Sequence, residues 1–111
     1  MTKPAGERRK LVTLIAPAFN EADNVAGLVR FFREIRTAYT HLDFELVVVD
    51  DGSTDGTARA LLDALDGDAD SARVATLSRN FGSHAAITAG LALSRGDCAM
   101  TLSADLQEPL E

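Results

Sequence analysis

Four short apolar runs alternate along the chain with stretches in which apolar residues recur at three- and four-residue intervals. The most continuous run, Phe44 to Val49, carries Leu46, Val47, Val48 and Val49 in succession and breaks into Asp50, Asp51, Gly52, Ser53, Thr54, Asp55, Gly56 and Thr57. Consecutive apolar residues, mostly β-branched and without alternation, predict a strand buried on both faces, as in parallel sheets covered by helices. Leu11 to Ala16 predicts an earlier strand, which Pro17 should end because proline brings no donor to a sheet ladder. Val74 to Leu77 and Cys98 to Leu102 predict two later ones.

Helical spacing fills the intervals. Val25, Leu28, Val29, Phe32, Ile35 and Tyr39 predict a first helix, with Asn20 or Asp23 as its cap. Ala58, Leu61, Leu62 and Leu65 predict a second over about Thr57 to Leu65, capped by Asp55. Ser83 is the expected cap of a third, whose Ile87, Gly90, Leu91 and Ser94 form one face and which Gly96 closes. Gly90 beside Ala86 and Ala89 suits close approach to a sheet.

This alternation, with short connections, predicts an α/β fold: a Rossmann-like, mostly parallel sheet with helices on both faces. Ligands of such sheets bind outside the carboxyl ends of the strands. That edge gathers Asn20, Glu21, Asp50, Asp51, Arg79, Asn80, Ser103, Asp105 and Gln107.

Length and composition narrow the classes. The 111 residues, 46% of them hydrophobic and 25% charged, describe one globular domain. A net charge of −6 disfavours nucleic acid as a partner, so an anionic substrate needs a metal ion or a local cation. Cys98 is the single cysteine and sits in an apolar run, so it reads as a core thiol in a reducing compartment, with no disulfide. Residues 1–10 hold Lys3, Arg8, Arg9 and Lys10 without an apolar core, a basic lead-in rather than a signal peptide or membrane span.

Asp51, at what reads as an exposed strand end, is the candidate to accept a hydrogen bond from a base N–H; the alternative is that Asp50 and Asp51 cap the turn. Asp51, Ser53, Asp55 and Gly56 match the start of a calcium loop, but Leu62 stands where a bidentate Glu is required. Asp105 and Gln107 alternate with Ala104 and Leu106, putting two oxygen ligands on one side of an extended segment, or simply polar residues in a solvated loop. His41 and His84 have no second ligand at metal spacing.

Ala16-Pro17-Ala18-Phe19-Asn20-Glu21, Val48 to Thr57, Ser78-Arg79-Asn80-Phe81-Gly82 and Ala104 to Pro109, in this order, resemble family 2 glycosyltransferases. Within that family, Arg79 to Gly82 followed by Ala89-Gly90-Leu91, with Asp105-Leu106-Gln107 before Glu108 and Pro109, resembles the branch that glycosylates polyprenyl phosphates, such as dolichol-phosphate mannosyltransferase. The resemblance implies the nucleotide-binding, N-terminal half of a GT-A fold over residues 11–111. It implies a nucleotide site of Pro17, Asn20, Glu21, Asp50, Asp51, Ser53 and Asp105, and a Mg²⁺ or Mn²⁺ site of Asp105, Gln107 and Ser103. The expected reaction is inverting transfer of a hexose from a nucleotide-sugar, of the UDP-glucose or GDP-mannose type, to a polyprenyl phosphate, with the chain cytoplasmic or, in a full-length form, at the cytoplasmic face of a membrane. Ser103-Ala104-Asp105 stands where the family has Asp-x-Asp. The chain stops at Glu111, where the acceptor-binding half would begin, so a truncated and by itself inactive form is expected, reaching a membrane only through the missing part. The alternatives are a hydroxyl acceptor, a non-catalytic nucleotide-binding fragment, and a receiver-type phosphoacceptor domain.

Overall fold

The computed structural model describes residues 9–68 and 70–103. Four strands, β1 (Lys10–Ala18), β2 (Leu42–Asp50), β3 (Ala72–Thr76) and β4 (Cys98–Thr101), form one sheet in the order β3-β2-β1-β4 with every pairing parallel. Three helices, α1 (Val25–Ala38), α2 (Thr57–Ala64) and α3 (Ser83–Leu93), make the crossovers.

The period-2 pleat sorts the central strands between two layers. Val12, Leu14, Ala16, Phe44, Leu46 and Val48 pack on Leu28, Val29 and Phe32 of α1 and Leu61 of α2. Val47 and Val49 face α3 through Ala86. Gly90 lies so close to the sheet that a Cβ there would stand 2.5 Å from Ile15 Cγ2, which is the close approach its neighbours suggest. Helices therefore cover both faces, and all four strands open their carboxyl ends on one edge.

Several sequence expectations are corrected. Pro17 does not end β1 but pairs with Val49 inside it. The Ile15 carbonyl accepts Leu102 N–H at 2.9 Å on the β4 side, and the Ala18 carbonyl accepts Asp51 N–H at 2.8 Å on the β2 side. Pro17 thus points toward β4, where it has no N–H to extend the ladder past the Leu102 to Ile15 bond, while β1 runs on to Ala18 through its pairing with β2. Neither Asn20 nor Asp23 caps α1; a 3₁₀ turn, Ala22–Asn24, leads in and Asn24 takes the cap position without a side-chain bond to the helix amides. The caps of α2 and α3 are Gly56 and Gly82 rather than Asp55 and Ser83. Leu62 and Leu91 lie on exposed faces, and Cys98 is exposed because β4 is an edge strand whose four residues are uncovered by the described residues.

Gly96 does not close α3, which ends at Leu93 with Ser94 as its C-cap, but lies against β1: a Cβ would come 2.8 Å from the Leu11 carbonyl oxygen. Its N–H bonds Thr13 Oγ1 at 2.9 Å, and Thr13 in turn donates to Glu45 Oε2 at 2.6 Å. Glu45 is buried and also accepts Arg95 N–H at 2.7 Å and the guanidinium of Arg73 at 3.2 Å. Burial alone would raise its pKa, but the Thr13 hydroxyl, the Arg95 amide and the two arginines together hold it below the ordinary 4.5. A carboxylate with a depressed folded pKa contributes stability above its unfolded pKa and loses it as pH falls through the folded one. Glu45→Gln is expected to cost about 2 kcal/mol near neutral pH. The gap between wild type and variant should narrow below pH 4.5 in urea unfolding series, and a gap independent of pH would show that the Glu45 charge is not its source.

Candidate functional site

The site is built where β1 and β2 end together. After Ala18 the backbone turns at Asn20, which adopts a positive φ of 53°, and the chain comes to lie against the loop that follows β2. Asn20 N–H donates to Ser53 Oγ at 2.8 Å, and its Oδ1 accepts Thr54 N–H at 2.9 Å. Glu21 N–H donates to Thr57 Oγ1 at 2.9 Å, and its carboxylate accepts Asn24 Nδ2 at 2.6 Å. Asp55 bridges the same loops: one oxygen takes Ala22 N–H at 3.2 Å, the other Thr57 N–H at 3.0 Å and the Thr57 hydroxyl. The Thr57 bond, helped by these amides, holds the Asp55 carboxyl below its usual range. Asp55 thus serves the first turn of α2 from one position before the cap, Gly56.

The paired carboxylates divide their tasks. Asp50, inside β2 and buried, accepts the Ser53 hydroxyl. Asp51 is only 3% exposed, against the exposed strand end read from the sequence, because the loop after β3 folds over it. It receives Phe81 N–H at 2.8 Å, Gly82 N–H at 2.9 Å and Asn80 Nδ2 at 3.3 Å. A carboxylate facing the amino end of a helix is favoured twice over, by hydrogen bonds to free amides and by the helix dipole. Asp51 thereby fixes the entry to α3. Gly52 has a φ of 77° and sits where a Cβ would be 2.4 Å from the Arg79 carbonyl carbon.

Between these loops, α3 and the end of β4 lies an open cavity of about 490 Å³. Pro17, Ala18, Phe19, Glu21, Asp51, Asn80, Gly82, Ser83, Ile87, Thr101, Leu102 and Ser103 line it. Of the candidate residues, Pro17, Glu21, Asp51 and Ser103 therefore meet in one cavity. Asn20, Asp50 and Ser53 do not line it; they tie together the loops that form its wall. Asp105 and Gln107 lie outside the described residues. Phe19, Gly82, Ser83 and Thr101 were missed as site residues, although their place at strand and helix ends was a usable signal.

A second cleft, about 600 Å³, opens at the amino ends of the strands and is lined by Arg9, Arg33, Arg36 and Arg95. Its cations are already paired, Arg9 with Asp43 at 3.3 Å, Arg33 and Arg36 with Asp68 at 2.7 and 3.2 Å, and Arg95 with Glu45 at 3.4 Å. Among the described residues no three His, Cys, Asp or Glu side chains converge as a metal site, and no helix is long and apolar enough to cross a membrane.

Residues 13–110 match the family described as glycosyl transferase family 2. The chain is 44% identical, over 103 residues, to the undecaprenyl-phosphate 4-deoxy-4-formamido-L-arabinose transferase of Pseudomonas aeruginosa strain LESB58, covering 91% of this chain and 30% of that protein. It is 37% identical over 102 residues to the transferase of the same description in Klebsiella pneumoniae strain 342, covering 92% and 31%. The chain thus spans about 30% of the length of the curated relatives it matches. Among solved structures it resembles the mannosyltransferase PcManGT of Pyrobaculum calidifontis, in complex with GDP-Man and Mn²⁺, with a TM-score of 0.77, 27% identity and coverage of 93% and 30%. It shares its fold, at a TM-score of 0.69 and 24% identity, with mannosyl-3-phosphoglycerate synthase of Rubrobacter xylanophilus, covering 90% and 32%.

Proposed function

Since the chain belongs to glycosyl transferase family 2, we propose that its strand-end cavity binds the nucleotide of a nucleotide-sugar donor, as part of a transferase that passes a sugar to a polyprenyl phosphate. The observation that carries this reading is the convergence of Pro17, Glu21, Asp51 and Ser103 on one cavity at the carboxyl edge of a parallel sheet. The polyprenyl phosphate acceptor rests on the relatives acting on undecaprenyl phosphate, and family membership sets aside the receiver-type alternative.

A carboxylate offers about four acceptor positions. Phe81, Gly82 and Asn80 occupy three at Asp51, so a base N–H approaching from the cavity can take another. Asn20, Asp50 and Ser53 support this wall from behind. Asp105 and Gln107, with the Ser103 hydroxyl, are the proposed holders of Mg²⁺ or Mn²⁺, which would offset the charge that builds on the departing diphosphate. An acceptor that is already a phosphate anion attacks without a general base, and the donor and acceptor meet at the cytoplasmic face of a membrane.

Urea unfolding with UDP or GDP and Mn²⁺ tests the donor site. At about 100 times the dissociation constant, the bound nucleotide should add about 2.7 kcal/mol to stability. A folded sample whose midpoint ignores both nucleotides would sink the reading.

A further inference from the structure

Among the described residues, Arg79 is the one cation in the connections that leave the strand ends. In residues 19–24, 51–56, 77–82 and 102–103, the other charged side chains are Glu21, Asp23, Asp51 and Asp55. Arg79 is exposed, forms no ion pair with a described carboxylate, and holds its guanidinium carbon 4.6 Å from the centre of the Phe81 ring. Phe81 is itself 48% exposed. An exposed aromatic ring and an unpaired guanidinium would be unremarkable on a loose loop, but this loop is not loose. Asp51 holds the Phe81 and Gly82 amides, Asn80 Nδ2 bonds the Asp51 carbonyl at 3.2 Å, and Gly52 packs directly beneath the Arg79 and Asn80 backbone.

The chemistry of the pair suits an anion. Stacking on a ring restrains a guanidinium while leaving its N–H fork free, and that fork matches phosphate oxygens bidentately. The neighbouring residues Asn80 and Gly82 line the strand-end cavity. On an edge otherwise acidic, in a chain of net charge −6, a phosphate needs such a contact.

We propose that Arg79, seated on Phe81, is a phosphate-binding residue beside the strand-end cavity, engaging either the diphosphate of a nucleotide-sugar or the monophosphate of a lipid acceptor. This rests on the donor-site reading above. The two sources share one chemistry and are separated by the choice of probe.

The experiment follows the Arg79 Nε–Hε NMR signal, assigned by its loss in Arg79→Lys, while the chain is titrated with UDP, GDP, farnesyl phosphate and, as a phosphate-free control, uridine. A shift of this signal with a nucleoside diphosphate but not with uridine, and at least a fivefold weaker affinity for that ligand in Arg79→Ala, supports the diphosphate arm. The same pair of results with farnesyl phosphate alone supports the lipid arm. Phe81→Leu should weaken the same ligand less than Arg79→Ala does, because it frees the guanidinium without removing it. If backbone signals of residues 17–21 respond to a ligand while Arg79 stays silent and Arg79→Ala binds normally, this proposal is overturned and the donor site stands. No response anywhere to any ligand overturns both.

Discussion

Gly52→Ala is expected to lower the unfolding free energy by about 2–5 kcal/mol, among the largest effects of any single methyl group added to this chain. Two costs combine. A non-glycine residue held in the left-handed region pays about 1–2 kcal/mol, and Gly52 has a φ of 77°. The new Cβ would also come 2.4 Å from the Arg79 carbonyl carbon and 2.5 Å from the Asn80 nitrogen. These are backbone atoms tethered by Asp51, so they cannot swing aside as a side-chain tip would; overpacking of this kind costs about 1–3 kcal/mol. Gly56→Ala is the control. Its φ of 87° carries the same backbone penalty, but nothing lies within 4 Å of its Cβ position. Urea midpoints should therefore fall further for Gly52→Ala than for Gly56→Ala, and equal losses would mean that the contact with the 79–82 loop contributes nothing.

Asp51→Asn is expected to cost about 2–4 kcal/mol in the absence of any ligand. The substitution keeps the shape but turns one acceptor oxygen into an NH₂ donor, which then faces the amide of Phe81 or Gly82. A charge-assisted bond is lost and a buried donor is left unmatched. Equilibrium unfolding of the free chain measures the effect, and an unchanged midpoint would show that the entry to α3 is held by other contacts. The sequence alone suggests the opposite outcome, a neutral change at an exposed strand end. The reason is that the covering loop comes from residues 80–82, 29 to 31 positions further along the chain.

The Asp-Gly-Ser-Thr-Asp-Gly-Thr stretch shows how far local reading reaches. Its place at the end of a buried strand and before a helix was legible because continuous apolar residues and helical spacing are properties of the chain itself. Its internal chemistry was not. Ser53, Thr54, Asp55 and Thr57 spend their polar groups on Asn20, Glu21 and Ala22, partners that only the parallel register Ala18↔Asp50 brings alongside. Pro17 gives the same lesson: its missing donor faces β4, whose ladder goes no further than the bond from Leu102 to Ile15, while β2 on the other side carries β1 on to Ala18.

By itself the sequence determined the number and order of the strands and α-helices, the helices on both faces and the edge on which polar residues collect. Each of these follows from periodicity, short connections and the fixed hand of the crossovers. Only the tertiary structure decided which polar residues line the cavity and which brace its walls, that Asp51 is buried, that Cys98 is exposed, and that Glu45 joins Thr13, Arg73 and Arg95 beneath the end of α3. Burial and hydrogen-bond partnership belong to pairs of segments, and a pair is set by register and strand order, which no window along the chain contains.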